Sequence, residues 1–235
     1  MTALVLLPGM DGTGDLFEPF LRALPRSLRP VVVRYPVDRW LDDDALLAHA
    51  RRALPGDEPF LLLGESFSGP VALMLAAEHP PGLCGVVLAA SFARYPRRAV
   101  ALFKPVAKWV PLRTLPKAVM SAPLLGRFAT GALQEELHRS VNRVASSVMG
   151  HRAQQVLSFD ATEAAGRVAV PILCLRATRD RVVAASAATE IVGLNRLTTV
   201  VDIEAPHMLL QCAPATAART IVDVFEEQEK GSPHA

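Results

Sequence analysis

Short runs of apolar and β-branched residues alternate along the chain with longer segments in which apolar residues recur at helical spacing. The apolar runs are predicted to be strands, at residues 3–7, 31–35, 60–64, 85–90, 171–177 and 198–203. Their nearly continuous hydrophobicity is typical of strands covered on both faces of a parallel sheet. Helices are predicted between them at residues 42–54, 68–79 and 214–228. The alternation predicts an α/β fold with a mostly parallel, doubly wound sheet of about six strands.

The alternation of strands and helices breaks between residues 92 and 160. This stretch contains helix-like pieces interrupted by prolines and no convincing strand. It is too long for an ordinary loop, because most connections in a single domain span only a few residues. We therefore predict a helical cap at residues 92–160, called the predicted cap below, inserted into a core formed by residues 1–91 and 161–235.

The composition suits one domain with a large core, since 51% of the 235 residues are hydrophobic and 20% are charged. The first residues lack the basic start and cleavage pattern of a signal peptide, and no apolar run is long enough to cross a bilayer, so we expect a cytoplasmic protein without a transmembrane segment.

Cys84, Cys174 and Cys212 are too few and scattered for a disulfide framework or zinc site, and we expect them to be buried. No cluster has metal-ligand spacing, so neither a metal nor a cofactor is predicted.

The segment GESFSG, residues 64–69, lies between a predicted strand and a predicted helix. A serine on such a turn is typical of a nucleophile elbow, whose tight backbone needs small residues two positions before and after the serine. Gly64 and Ser68 are both small, although glycine is more usual at the second position. The segment predicts Ser66 as a nucleophile at a helix N-terminus, where developing negative charge is favoured. The alternative is that Ser66 only caps the helix.

A serine nucleophile needs a base and an acid that orients the base. In enzymes with a nucleophile elbow, the acid follows the serine in the chain and the histidine follows the acid. Asp180 and His207 each come just after a predicted strand, so they are expected at the same sheet edge as Ser66. Asp160 and Asp202 are rival acids without that position. The other histidines lie on predicted helices or in the C-terminal tail.

A glycine-rich turn, PGMDGTG at residues 8–14, follows the first predicted strand. Its spacing matches neither the dinucleotide-binding fingerprint nor the P-loop. A turn here can direct a backbone N–H at the oxyanion of an acyl-transfer intermediate. Met10 is the predicted donor, together with the N–H of Phe67, the residue after the nucleophile. The alternative is a turn that only reverses the chain.

With these four features in order, the sequence resembles the α/β-hydrolase superfamily over its whole length except the predicted cap. The turn LPGMDGTG is similar to that of small bacterial hydrolases and of plant acyltransferases related to phytyl ester synthases. The resemblance implies a compact α/β-hydrolase fold with Ser66 as nucleophile, His207 as general base, Asp180 as orienting acid, and Met10 and Phe67 as oxyanion donors. Superfamily members also insert their cap at this point of the fold.

The predicted cap is strongly basic. Residues 92–159 carry a net formal charge of +9, which leaves −7 for the rest of the chain. Such a charge would attract an acidic acyl carrier protein, a coenzyme A thioester or an anionic membrane surface. Carrier-protein methyl-ester esterases resemble this layout. The alternative is that long basic side chains merely cover apolar surface.

Apolar residues of the predicted cap are candidates for lining an acyl site, and the strongest are Phe103, Trp109, Met120, Leu124 and Phe128. They could equally pack within the cap, because helical spacing does not separate the two roles. Nucleic-acid binding is not expected, because the arginines are not interleaved with stacking aromatic residues.

The sequence therefore predicts a serine hydrolase that cleaves small acyl esters through an acyl-enzyme, with thioesters or carrier-linked acyl methyl esters as further substrates. Two alternatives stay open. One is an acyltransferase that uses the same acyl-enzyme, and the other is a ligand-sensing member of the fold without hydrolytic activity.

Overall fold

The computed structural model describes residues 1–95 and 116–231. Within them, six strands form one fully parallel sheet in the order β2-β1-β3-β4-β5-β6. The strands are β1 (Thr2–Leu7), β2 (Leu28–Val32), β3 (Phe60–Glu65), β4 (Leu83–Ala89), β5 (Ile172–Ala177) and β6 (Thr198–Ile203). The predicted fold class and each predicted strand are confirmed.

Helices cover both faces of this sheet. The helices before the predicted cap are α1 (Glu18–Ala23), α2 (Asp43–Arg51) and α3 (Gly69–Ala76). Within the predicted cap lie α4 (Lys117–Leu125), α5 (Gly131–Arg143) and α6 (Ser146–Ser158), and the remaining helices are α7 (Thr162–Arg167), α8 (Ser186–Leu194), α9 (Leu209–Cys212) and α10 (Pro214–Gly231).

Alternating residues of each strand supply two separate hydrophobic layers. In β1, Val5 and Leu7 join the layer packed under α2, α3 and α8. Leu4 and Leu6 face the opposite layer, which packs against α1, α9 and α10. This period of two follows from strand geometry, and it explains why the strand sequences are apolar without interruption.

The sheet order creates a switch point between β1 and β3. From β1 the chain runs outward to β2 on one side and returns to β3 on the other. Loops at the carboxyl ends of strands therefore diverge here and leave a crevice, where open α/β sheets bind their ligands. The glycine-rich turn and Ser66 follow these two strands directly.

Several element boundaries differ by a few residues from the sequence-based predictions. β2 begins at Leu28 and ends at Val32, earlier than the predicted run of 31–35. The helix predicted at 68–79 starts as a 3₁₀ turn at Ser66–Ser68 and ends as α3 at Ala76. The chain then leaves the helix through His79, whose φ is 53°, before it reaches the two prolines.

The two ends of the predicted cap lie next to each other. Arg94 and Asp160 form an isolated antiparallel bridge, and the N–H of Ala161 donates to the carbonyl of Ala93 at 3.0 Å. Both contacts are consistent with an insertion that leaves and re-enters the core at one place. The predicted boundary of the cap stays a prediction.

Among the described residues, no helix combines the length and the apolarity that crossing a membrane would require. Cys174 is buried as expected, whereas Cys212 is half-buried and Cys84 is exposed. Cys84 lies in the less buried first part of β4, so its predicted burial was wrong.

Candidate active site

Ser66 occupies the turn that joins β3 to α3. Its φ is 47°, a left-handed conformation that is costly for a residue with a side chain and persists only where the surroundings impose it. A Cβ on Gly64 would lie 2.6 Å from the carbonyl oxygen of Ser68 and 2.9 Å from Cα of Gly69. The turn therefore excludes any larger residue at position 64, as the predicted elbow requires.

Ser66, His207 and Asp180 form a continuous hydrogen-bonded series. The Oγ of Ser66 lies 2.8 Å from Nε2 of His207, and Nδ1 of the same ring lies 2.8 Å from Oδ2 of Asp180. The side chains of His207 and Asp180 are each only 7% exposed. The imidazole can thus accept a proton from the serine while the carboxylate fixes its tautomer.

The carboxylate of Asp180 is itself oriented by backbone groups. Its Oδ1 accepts the N–H of Val182 at 2.7 Å and that of Val183 at 2.9 Å, which leaves Oδ2 directed at the imidazole. The rival acids lie elsewhere in ion pairs: Asp160 pairs with Arg94, and Asp202 pairs with Arg176 on the strands β6 and β5.

Ser68 does more than replace a glycine with another small residue. Its fully buried hydroxyl donates to the carbonyl of Pro8 and lies 2.9 Å from the hydroxyl of Tyr35. Because the hydroxyl of Ser68 donates its one proton to the carbonyl of Pro8, the Tyr35 hydroxyl must be the donor in its hydrogen bond with Ser68. Burial also raises the pKa of Tyr35, which keeps this hydroxyl protonated. Ser68 thereby ties the elbow to the glycine-rich turn.

Glu65, the residue before Ser66, connects three segments of the site. Its carboxyl accepts the N–H of Gly9 from the glycine-rich turn and, at 2.9 Å, the Nε2 of Gln211 from the helix after His207. Glu65 is buried, and this burial raises its pKa to about 7, with the nearby Asp11 adding to the shift. A buried carboxyl that holds a proton near neutrality thus lies beside the nucleophile.

The glycine-rich turn also contacts a buried arginine of α6. Nη1 of Arg152 donates to the carbonyls of Met10 at 3.1 Å and Asp11 at 2.7 Å, and Nη2 donates to Pro36 at 2.9 Å. Burial lowers the pKa of Arg152, and the carboxyl of Asp11 partly offsets this effect. In turn, burial raises the pKa of Asp11, which accepts hydrogen bonds from Thr13.

An apolar cavity of about 450 Å³ opens onto Ser66 and His207. Its walls come from the glycine-rich turn, from α4, α5 and α6, and from the residues around β4 and Asp180. Most of the lining is aliphatic or thioether side chain, and the described lining contains no lysine or arginine. A cavity of this size and character suits a small, largely apolar molecule.

The predicted lining residues meet different outcomes. Met120 and Leu124 do line the cavity. Phe128 is not among the described lining residues, and the guanidinium carbon of its neighbour Arg127 lies 5.2 Å from the centroid of its ring. A contact of Phe128 with substrate stays a prediction. Phe103 and Trp109 lie outside the described residues.

Several basic residues of the predicted cap already have acidic partners. Three of them contact acids of the core: Arg94 binds Glu190, Arg127 binds Glu204 at 2.5 Å, and Arg143 binds Asp15. Lys117 pairs with Glu135 within the predicted cap. Part of the charge counted in the sequence is thus compensated locally. Five further basic residues lie outside the described ranges, at positions 97, 98, 104, 108 and 113.

Sequence reasoning missed Glu65, Gln211 and Arg152 as members of this site. Glu65 could have been noticed in the sequence, because it ends an apolar strand, and a carboxylate buried at such a place needs polar partners. Arg152 could have been noticed as well, because its helical spacing from Val148 and Gln155 places it on one face of α6, and this face is buried. Arg152 enters the sequence-based predictions only in the net charge of the predicted cap, which does not place it on a buried face.

Known proteins resemble the chain in sequence and in structure. The sequence is 28% identical to phytyl ester synthase 1 from Arabidopsis thaliana over 150 residues. The aligned residues make up 59% of this chain and 21% of that protein. It also matches the polyketide synthase ThaQ from Burkholderia thailandensis at 35% identity over 100 residues, 39% of this chain and 5% of that protein. The chain thus spans about a fifth or less of these curated relatives.

Two solved structures share the fold at low sequence identity. A bromoperoxidase from Bacillus anthracis superposes with a TM-score of 0.83 at 12% identity, covering 96% of this chain and 92% of the other. An esterase from Exiguobacterium antarcticum gives a TM-score of 0.80 at 14% identity, with the same two coverages. The architecture is that of the α/β hydrolases.

The family described as serine aminopeptidase, S33, matches residues 35–210, and the chain belongs to this α/β-hydrolase family. The matched range includes Ser66, Asp180 and His207, whereas the glycine-rich turn precedes it. The resemblance to the superfamily predicted from the sequence is confirmed.

Proposed function

We propose that this hydrolase cleaves carboxylic esters of small, uncharged acyl groups through an acyl-enzyme on Ser66. The observation that carries the proposal is the series Ser66–His207–Asp180, joined by two contacts of 2.8 Å at the mouth of an apolar cavity. A serine hydroxyl with an oriented imidazole is competent to attack an ester carbonyl.

In the proposed reaction, Nε2 of His207 takes the hydroxyl proton as Ser66 Oγ bonds to the carbonyl carbon. The N–H groups of Met10 and Phe67 stabilise the resulting oxyanion. When this intermediate collapses, the imidazolium returns its proton to the leaving alcohol, and the acyl group stays on Ser66. A water molecule then repeats the sequence, with His207 as base and afterwards as acid, and releases the carboxylic acid.

The lining of the cavity supports an uncharged acyl group. Burying a carboxylate among aliphatic side chains is expensive unless a cation pairs with it, and the described lining offers none. The buried carboxyl groups of Asp11 and Glu65 at the turn end of the cavity offer an anion no compensating positive charge. The carrier-protein prediction consequently depends on basic residues outside the described ranges, and we favour a free small-molecule ester.

Acyl transfer is a second candidate, favoured by the sequence match to phytyl ester synthase 1. An alcohol would replace water when the acyl-enzyme breaks down, and Ser66, His207 and Asp180 would keep their roles. Product analysis with an acyl ester and excess long-chain alcohol separates the two outcomes: a free acid indicates hydrolysis, and a new ester indicates transfer.

The proposal is tested by the hydrolysis of p-nitrophenyl butyrate by the wild-type protein and by Ser66→Ala. We expect the wild-type protein to release p-nitrophenol with saturation kinetics and the variant to lose this activity while retaining its circular dichroism spectrum. A folded variant with wild-type turnover would refute the proposal. Ser147→Ala, on the exposed side of α6, is the matched control and should leave turnover unchanged.

A further inference from the structure

We propose that Arg152, a residue of the predicted cap, positions the backbone of the glycine-rich turn for oxyanion stabilisation and so couples docking of the cap to catalysis. This inference rests on the proposed function. It goes further because it gives a helix of the cap a part in the acyl-transfer step, whereas a cap otherwise only covers and shapes the substrate cavity.

The first support is the way the turn is held around Met10. The carbonyl of Pro8 accepts the hydroxyl of Ser68, and the N–H of Gly9 donates to Glu65. On the other side, the carbonyls of Met10 and Asp11 both accept Nη1 of Arg152. The Met10 N–H therefore lies between groups fixed from the core and groups fixed from α6.

The second support is the burial of the guanidinium. Arg152 is only 4% exposed, and an arginine that is taken out of water must be compensated by close polar partners. Its guanidinium donates to three backbone carbonyls, and its Cζ atom lies 5.7 Å from the centroid of the Tyr35 ring. A planar group with several donors is suited to fixing a loop through its carbonyls, which a lysine does less well.

The third support is the space that the turn leaves for this side chain. Gly12 has a φ of +70°, and a Cβ there would lie 2.4 Å from Nη1 of Arg152. The N–H of Gly12 closes the turn by donating to the carbonyl of Gly9 at 3.0 Å. The backbone of the turn is thus shaped to admit the guanidinium at close range.

The consequence is that loss of Arg152 should impair the chemical step more than substrate binding. The core contacts of Pro8 and Gly9 and the bond from the Tyr35 N–H to the carbonyl of Gly12 would remain, but the carbonyls of Met10 and Asp11 would lose their donor, and the Met10 N–H would be held less firmly. A displacement of about 1 Å in a catalytic group can cost on the order of a hundredfold in rate. The aliphatic walls of the cavity, by contrast, do not include Arg152.

The test compares Arg152→Met and Arg152→Lys with the wild-type protein, and Arg139→Met serves as a matched control on the exposed face of α5. The measurements are kcat and KM for p-nitrophenyl butyrate and the rate at which a fluorophosphonate modifies Ser66, all well below each variant's unfolding midpoint. We expect Arg152→Met to lower kcat and the modification rate by about tenfold or more with KM within about twofold. Arg152→Lys should fall in between, and Arg139→Met should match the wild type.

A folded Arg152→Met with wild-type kcat would overturn the inference, as would a loss confined to KM. If Arg152→Met does not fold, Arg152→Lys decides by the same criteria. A purely structural role would lower the unfolding midpoint of a variant without changing kcat of its folded fraction. Failure of the proposed function is distinguishable, because the fluorophosphonate would then leave Ser66 of the wild-type protein unmodified.

Discussion

The carboxylate of Asp180 binds Nδ1 of His207 with one oxygen, while two backbone N–H groups of the loop after β5 hold its other oxygen. The acid is therefore not free to rotate away from the imidazole. This fixed orientation selects the tautomer in which Nε2 faces Ser66 without a proton, ready to accept one.

Asp180→Asn tests this relationship, since an amide can keep the loop contacts but no longer stabilises the imidazolium. We expect kcat for p-nitrophenyl butyrate to fall by about a thousandfold or more, with little change in the unfolding midpoint. Steady-state kinetics and thermal denaturation measure the two quantities. Asp202→Asn is the matched control, because Asp202 pairs with Arg176 away from the site, and it should retain wild-type kcat. Equal losses in both variants would contradict the assignment.

Glu65→Gln should change how stability depends on pH. The pKa of Glu65 is raised from 4.5 to about 7 in the folded protein. Between these values the unfolded chain releases the proton that the folded protein keeps, so this group's contribution to stability falls as pH rises through the window. The loss amounts to on the order of 3 kcal/mol above pH 7.

Urea denaturation of both proteins between pH 4 and pH 8 measures this difference. The free energy of unfolding of Glu65→Gln should lack the wild-type decrease, so the variant gains stability relative to the wild type as pH rises. Parallel curves for the two proteins would show that Glu65 does not titrate in this range.

Ser68→Ala should destabilise the protein. The substitution leaves the buried hydroxyl of Tyr35 without its acceptor and the carbonyl of Pro8 without the donor described above. We expect a loss of about 1–3 kcal/mol in the free energy of unfolding, measured in urea. Combining Ser68→Ala with Tyr35→Phe should cost less than the sum of the single variants, because the contact is shared. Additive losses would contradict the coupling.

The acyl preference is tested with two substrates of equal chain length, p-nitrophenyl hexanoate and the p-nitrophenyl half-ester of adipic acid. We expect kcat/KM to favour the uncharged ester by about a hundredfold, because the cavity lining described here offers no cation to the terminal carboxylate. A preference for the carboxylated ester that weakens with added salt would instead support the basic-cap hypothesis.

The fold and the alignment of Ser66, Asp180 and His207 at one sheet edge could be predicted because they depend on local patterns. A buried parallel strand is apolar throughout, and the residue after it must lie at the carboxyl edge. The roles of Glu65 and Arg152 could not be predicted in this way. Arg152 contacts the carbonyl of Met10, and 142 positions along the chain separate the two residues.

The same limit applies to Phe128 and to the displaced boundary of β2. Helical spacing identifies an apolar face but not the surface on which that face packs, so the sequence does not distinguish Met120, which is among the described lining residues, from Phe128, which is not. In β2, the pairing of Leu28 with Thr2 and of Val32 with Leu6 sets the register, and both partners lie in another strand.

The most direct test of the central claim is the mass of the protein after reaction with a fluorophosphonate, followed by peptide mapping. We expect one adduct per chain on Ser66 of the wild-type protein, no adduct in Ser66→Ala, and strongly slowed modification in His207→Ala. Modification of another residue, or none in an active wild-type protein, would contradict the assignment of Ser66 as the nucleophile.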